Sequence, residues 1–187
     1  MREIEVKAKI KNKDNLIKKL NDLGCVLSEP KHQHDRVYFP NGVTFEGNNL
    51  KNHNVLRIRT ESSSDNQTHT FTFKKATGDY LNKIEKESKI VGAQEMHEII
   101  LALGYYLFIE IKKSRTTSRF NDYEICIDEV DELGTFVEIE KIVDEEVEGD
   151  EIIQELNEFL IKLGINPSDN VTKGYDILLG SQKYLNQ

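Results

Sequence analysis

EIEVK, residues 3–7, places Glu3, Glu5 and Lys7 on alternate positions with Ile4 and Val6 between them. Successive side chains of a strand point to opposite faces. As a strand, the stretch gathers two carboxylates and an ammonium on one face and two β-branched aliphatics on the other. The same alternation returns along the chain. Arg57 and Arg59 alternate with Leu56 and Ile58, and Lys74 shares its parity with Thr72, opposite Phe71 and Phe73. Lys83, Glu85 and Glu87 alternate with Ile84; Lys113 and Arg115 stand two apart; Asp128 opposes Ile125 and Ile127; Glu138 and Glu140 flank Ile139.

The solvated outer face of an antiparallel sheet accounts for any one of these strands. Paired arginines and paired glutamates at i, i+2 on several strands of one sheet ask for more. If the sheet closes, helices cover its apolar outside and the charges line its inside. Opposite charges then offset one another in a partly desolvated space, where an unpaired charge is costly. Arginines and lysines hold phosphate oxygens, arginine bidentately. Carboxylates hold Mg²⁺ or Mn²⁺, hard cations that bridge protein oxygen to phosphate. Many bases with several acids suit a complex of a polyanion and a metal better than a bare anion. No GxxxxGK[ST] occurs in the sequence, so a P-loop is excluded.

The remaining sequence fits an α+β chain of 187 residues, long enough for a real core. A net charge of −8 argues against a general nucleic-acid binder. Cys25 and Cys126 have neither metal-ligand spacing nor a disulfide framework, no apolar run approaches a membrane span, and the start is no signal peptide. The expectation is a cytoplasmic protein with no membrane partner. Strands are expected at 2–10, around 37–39, at 54–60 and 68–75 as a hairpin, and at 83–91. Others follow around 106–117, 122–130 and 135–143, with 42–54 as a loop. Three helices fall between them: one capped near Asp14 with Leu16, Ile17, Leu20 and Leu23 on its stripe, one with Met96, Ile99, Ile100 and Leu103, and one with Ile152, Ile153, Leu156, Phe159, Leu160 and Leu163 inward. A Glu-x-Glu strand, a helix and a Leu-Gly stop recur three times, ending at Gly24, Gly104 and Gly164. Spacing this irregular argues against a solenoid and for duplication of a strand-helix unit inside one domain. With no Pro- or Gly-rich linker, residues 1–187 are expected to form a single domain.

EIEVK has the form ExExK, which resembles the N-terminal signature of the CYTH superfamily, the triphosphate tunnel metalloenzymes. VYF (37–39), LRIR (56–59), FTFKK (71–75), the ExE at 85 and 87, KSR (113–115) and DEVDELGTFVEIE (128–140) follow in the family's order, over nearly the whole chain. ExExK alone is a short pattern; the last segment and the order of the set carry the specificity. By length and by Tyr38-Phe39 the class IV adenylate cyclase-like branch is the nearest match. The resemblance implies a closed antiparallel barrel of eight strands with helices outside, enclosing a tunnel for a triphosphate. It implies Glu3, Glu5, Glu138 and Glu140 as metal ligands for Mg²⁺ or Mn²⁺, and with Lys7 as the catalytic set. Lys7, Arg57, Arg59, Lys74, Lys83, Lys113 and Arg115 become triphosphate ligands, and Glu85, Glu87 and Asp128 further tunnel acids. A homodimer is a family expectation only. Three departures stand out. Arg36, preceded by Asp35, occupies a position where an acid is common; Lys83 stands where arginine is frequent; Lys173-Gly174-Tyr175 replaces a usual Ser-Tyr.

The expected activity is metal-dependent chemistry on a triphosphate: first cyclisation of ATP to cyclic AMP and pyrophosphate, next hydrolysis of tripolyphosphate, a nucleoside triphosphate or thiamine triphosphate. A non-catalytic triphosphate-binding protein, or a protein with merely solvated strands, is the alternative. His32 and His34 form an HxH pair without a third ligand and read as surface, and Cys126 shares the parity of Asp128 with nothing that marks it as a nucleophile.

Overall fold

The computed structural model describes residues 2–45, 53–64, 66–76, 83–144 and 146–184. The elements run β1 (Arg2–Ile10), α1 (Lys13–Asp22), β2 (Lys31–Pro40), β3 (Asn54–Ser62), β4 (Gln67–Ala76), β5 (Lys83–Ile90), α2 (Ala93–Ala102), β6 (Tyr105–Phe120), β7 (Tyr123–Val130), β8 (Gly134–Val143), α3 (Gly149–Lys162), a 3₁₀ turn (Pro167–Asp169) and α4 (Tyr175–Tyr184). Much of the loop expected over 42–54 lies outside the described residues, as does Asp65 of the hairpin turn. The strands form one antiparallel eight-stranded sheet in the order β1-β8-β7-β6-β2-β3-β4-β5. Among the described residues no helix is long and apolar enough to cross a membrane.

The expected closure of the barrel is corrected. The order begins at β1 and ends at β5, with no ladder between them among the described residues. Part of the outer edge of β1 has another occupant: Ala8 bridges Asn170, and the Val171 N–H donates to the Lys7 carbonyl at 2.8 Å. A segment after the 3₁₀ turn thus satisfies edge groups that would otherwise stand open.

Two compact units divide the chain, one formed by residues up to Pro30 with Ser114–Thr172, the other by Lys31–Lys113 with the chain from Lys173. In the first unit the alternation of β1, β7 and β8 turns Ile4, Val6, Ala8, Ile125, Ile127, Val137 and Ile139 to one face. They pack there with Leu16 and Leu20 of α1 and Ile152, Leu156, Phe159 and Leu160 of α3. α1 and α3 end alike: Gly24 and Gly164 take positive φ, and the next N–H, of Cys25 or Ile165, returns to the Leu20 or Leu160 carbonyl. This is the Schellman closure, which needs a residue tolerant of the left-handed region.

In the second unit Leu56 and Ile58 of β3 and Tyr38 of β2 form the apolar face, buried with Ile100 of α2, and Phe71 and Phe73 pack against them. The stripe expected for α2 is narrower than drawn, since Ile99 and Leu103 are 51% and 69% exposed. α4, absent from the sequence reading, docks on a separate aromatic group. Tyr184 stacks on Phe108 at 5.5 Å, and Phe108 on Phe39 at 4.2 Å and on Phe45 at 5.0 Å.

Candidate functional site

Because side chains alternate, the face of each unit opposite its apolar core carries the charges. In the first unit, Glu5 pairs in register with Glu140, and Glu140 with Glu124; Lys7 pairs with Glu138, and Glu138 with Cys126. The carboxylates of Glu3, Glu5 and Glu140 bring oxygens within 4.8 Å of one another, a donor set of hard oxygens that fits Mg²⁺ or Mn²⁺. Glu124, Cys126 and Glu140 lie within the same spacing. Three like charges so close oppose ionisation. Burial first, then Glu3 with Glu138 and Glu5, push the Glu140 carboxyl up to about 8, against the pull of Arg115.

Glu138 is held differently from the other three acids. Lys7 Nζ lies 3.2 Å from its Oε1, and Arg115 Nη2 donates to its Oε2. Arg115 also donates from Nε and Nη2 to the two oxygens of the fully buried Asp128, at 2.7 and 2.6 Å. Burial alone would lower the pKa of this guanidinium, but the hydrogen bonds and charge of Asp128, then Glu138, raise it. The Cys126 thiol, 3.9 Å from Glu140, is pushed well above its ordinary range by burial, and so it is a poor nucleophile.

In the second unit a matching fork appears. Arg59 donates from Nε and Nη2 to Asp35, both at 2.7 Å. Burial would raise the Asp35 carboxyl, but Arg59, with Arg57 and Lys113, holds it below the usual carboxylate range. Arg57 is paired more loosely: Thr72 Oγ1 at 3.1 Å, Glu85 at 3.5 Å, Glu87 at 3.6 Å and Asp35 at 4.0 Å. Its buried Nε has no hydrogen-bond partner among the described residues, and burial, then Arg59, lower its pKa. Lys74 reaches Glu85 at 3.0 Å and is lowered by burial and by Arg57. Lys113 is buried, its ammonium 5.0 Å from the Tyr175 ring centroid. Lys83 opens β5, and its side chain lies outside the described residues.

The expected residues therefore fall into two groups. Glu3, Glu5, Lys7, Arg115, Asp128, Glu138 and Glu140 share the charged face of the first unit; Arg57, Arg59, Lys74, Glu85, Glu87 and Lys113 belong to the second. Sequence reading missed Asp35, noted only as the neighbour of Arg36, and Thr72, whose hydroxyl bridges Arg57 and donates to Glu87 at 3.2 Å. Parity was the available signal, since Gln33, Asp35 and Val37 pair with Glu61, Arg59 and Arg57 in turn. His34 meets Glu110 at 3.1 Å on the surface, as the HxH reading expected.

The first unit thus presents three carboxylates whose oxygens lie within 4.8 Å of one another, and the second presents arginines and lysines held by acids. The chain belongs to the CYTH domain family, whose sequence profile matches residues 1–175. It is 32% identical over 182 residues to a Methanocaldococcus jannaschii protein named a putative adenylate cyclase, spanning 96% of this chain and 99% of the relative. A solved Pyrococcus horikoshii protein shares the fold with a TM-score of 0.80 at 24% identity, covering 97% of this chain and 99% of its own. A Hippeastrum protein, described as a putative adenylyl cyclase with a dominant triphosphatase activity, matches at a TM-score of 0.60 and 15% identity, covering 92% and 91%.

Proposed function

We propose that this protein is a divalent-metal-dependent enzyme acting on a triphosphate, with ATP cyclisation to cyclic AMP and pyrophosphate as its first reaction. The observation that carries this reading is the convergence of Glu3, Glu5 and Glu140 within 4.8 Å on the face that also holds Lys7. The name of the archaeal relative supports the cyclase. The same residues serve hydrolysis at the terminal phosphorus equally well, so triphosphatase activity is the second reading.

Glu3, Glu5 and Glu140 would hold Mg²⁺ or Mn²⁺, with Glu138 joining them where Lys7 or Arg115 yields one of its oxygens. When bound, the cation supplies neutralisation of phosphate oxygens. The chain's own work is binding and orientation. Arg57, Arg59, Lys74, Lys83 and Lys113 take phosphate oxygens, and charge-assisted hydrogen bonds fix the phosphorus under attack. Asp35 fixes the plane of Arg59, so that this fork loses little freedom when an anion arrives. In cyclisation the ribose 3′-oxygen attacks the α-phosphorus and pyrophosphate leaves; in hydrolysis water attacks the terminal phosphorus, the diphosphate portion leaves and the attacked phosphoryl group becomes orthophosphate. Both depend on positioning and on stabilising charge spread over the phosphoryl oxygens.

The test is a product assay. Purified protein is incubated with ATP, tripolyphosphate or thiamine triphosphate and Mg²⁺ or Mn²⁺, with a chelator control, and read by ³¹P NMR and chromatography. Cyclic AMP with pyrophosphate from ATP is the expected result. Orthophosphate without cyclic nucleotide makes the protein a triphosphatase. No metal-dependent product from any substrate removes the enzyme reading and leaves a triphosphate-binding protein.

A further inference from the structure

Arg57 of β3, Thr72 of β4 and Glu87 of β5 stand in one row, Arg57 in register with Thr72 and Thr72 with Glu87. Residues paired in register point to the same face of a sheet, so the row lies on the charged face of the second unit. On its other side the row continues into Val37 of β2, which offers no polar side chain. Thr72 is fully buried, and Glu87 is exposed. A guanidinium only donates. The Thr72 oxygen therefore accepts from Arg57 Nη2 at 3.1 Å, and the hydroxyl hydrogen is left for Glu87 Oε2 at 3.2 Å. Among the described residues the carboxylates around Arg57 stand farther off: Glu85 at 3.5 Å, Glu87 at 3.6 Å and Asp35 at 4.0 Å. Arg59, by contrast, is clamped by both Asp35 oxygens at 2.7 Å. The direction of Arg57 thus rests on a neutral hydroxyl.

We propose that Thr72 is a positioning residue of the phosphate site: its hydroxyl, with the hydrogen committed to Glu87, aims the Arg57 guanidinium at a phosphate oxygen. The inference rests on the triphosphate reading above and adds to it a neutral residue outside the charged set. A guanidinium already held in direction loses less freedom when an anion binds than one that must be ordered at that moment. A hydroxyl holds it without cancelling the charge that attracts the phosphate. A carboxylate at position 72 would grip Arg57 more firmly but would repel the anion. Glu85 and Glu87, at their longer distances, yield Arg57 to the incoming phosphate while the Thr72 contact stays.

The experiment measures tripolyphosphate binding by calorimetry, with Mg²⁺ or Mn²⁺, for wild type, Thr72→Ser, Thr72→Val, Thr72→Ala, Arg57→Ala and the Arg57→Ala/Thr72→Val double variant. Valine keeps the shape and β-branching of threonine, so the strand is retained, and alanine makes the same test with a smaller side chain. Serine keeps the hydroxyl and stays within about twofold of wild type, whereas valine and alanine each weaken binding about tenfold, the scale of one hydrogen bond to a charged group. In the Arg57→Ala background the valine change adds nothing, because the group it acts through is gone. A merely structural Thr72 would cost the same with or without Arg57. Equal losses for serine, valine and alanine, no loss for valine or alanine, or an undiminished valine loss once Arg57 is removed overturns the inference while the triphosphate reading stands. Wild-type protein that binds no tripolyphosphate with either cation overturns that reading and the inference with it.

Discussion

Asp35 shows how one residue type does two jobs depending on its partner. A carboxylate sealed from water should resist ionisation, yet the two Arg59 hydrogen bonds at 2.7 Å outweigh that cost and depress its pKa. A depressed carboxylate contributes stability that is complete above its unfolded pKa and fades as pH falls through the folded value. Asp35→Asn should therefore cost about 3 kcal/mol at pH 7, the scale of breaking one side of a buried pair. The difference from wild type should shrink at about pH 3, below the ordinary aspartate pKa of about 3.9. Urea unfolding at the two pH values measures it. An equal difference at both would mean that the fork does not hold Asp35 ionised. From sequence, Asp35 was not legible as a partner because the family position for an acid, two residues before the aromatic pair, is occupied by Arg36. The ladder that sets Asp35 against Arg59 depends on where β2 and β3 register, which periodicity within either strand does not fix.

At the scale of elements, strands were more legible than helix ends. Every strand pattern with alternating charge became a strand, since a period of two leaves little choice once one face is apolar. Ends depend on single hydrogen bonds. The first helix was expected to start near Asp14, but the cap is Asn12, whose side-chain oxygen accepts from the Asn15 N–H at 2.9 Å. Asp14 sits in the first turn, where it contributes only through the helix dipole. Asn12→Ala should lower stability by about 1 kcal/mol whatever the salt, because a neutral hydrogen bond is lost. Asp14→Ala should cost at most about 0.5 kcal/mol and nothing in about 1 M salt, where the charge is screened. Thermal unfolding of both variants at two salt concentrations decides it; a salt-independent Asp14 loss would return the cap to Asp14. α4 escaped detection for a related reason. Its sequence, YDILLGSQKY, places Gly180 in mid-helix, which reads as a break. The aromatic rings that require a glycine there come from distant parts of the chain.

At the scale of the molecule, the acids and the bases that the ordered motifs bring to mind as one set are distributed over two compact units. The motifs were legible one by one. Periodicity could not show that the sheet stays unclosed among the described residues, where part of the edge of β1 is met by Asn170 and Val171, a contact made by a segment with no periodic pattern. On the metal-dependent reading proposed above, the acids couple the two ligands, so cation and triphosphate should bind cooperatively. In wild type, Mn²⁺ should raise tripolyphosphate affinity by a factor on the order of ten to a hundred, a coupling of about 1.4–2.7 kcal/mol. Glu5→Gln or Glu140→Gln should remove that gain while keeping the metal-free affinity, since neither side chain belongs to the apolar core. Arg57→Ala should weaken binding by about 1.5–3 kcal/mol with and without Mn²⁺, through lost charge-assisted hydrogen bonds. Because wild type and variants meet the same Mn²⁺–tripolyphosphate complex in solution, its formation cancels from the comparison. A Mn²⁺ gain that survives in both glutamine variants would mean that the cation enters with the phosphates, held by groups other than Glu5 and Glu140. The trio would then be a local charge cluster, and the metal-dependent reading would need another cation site.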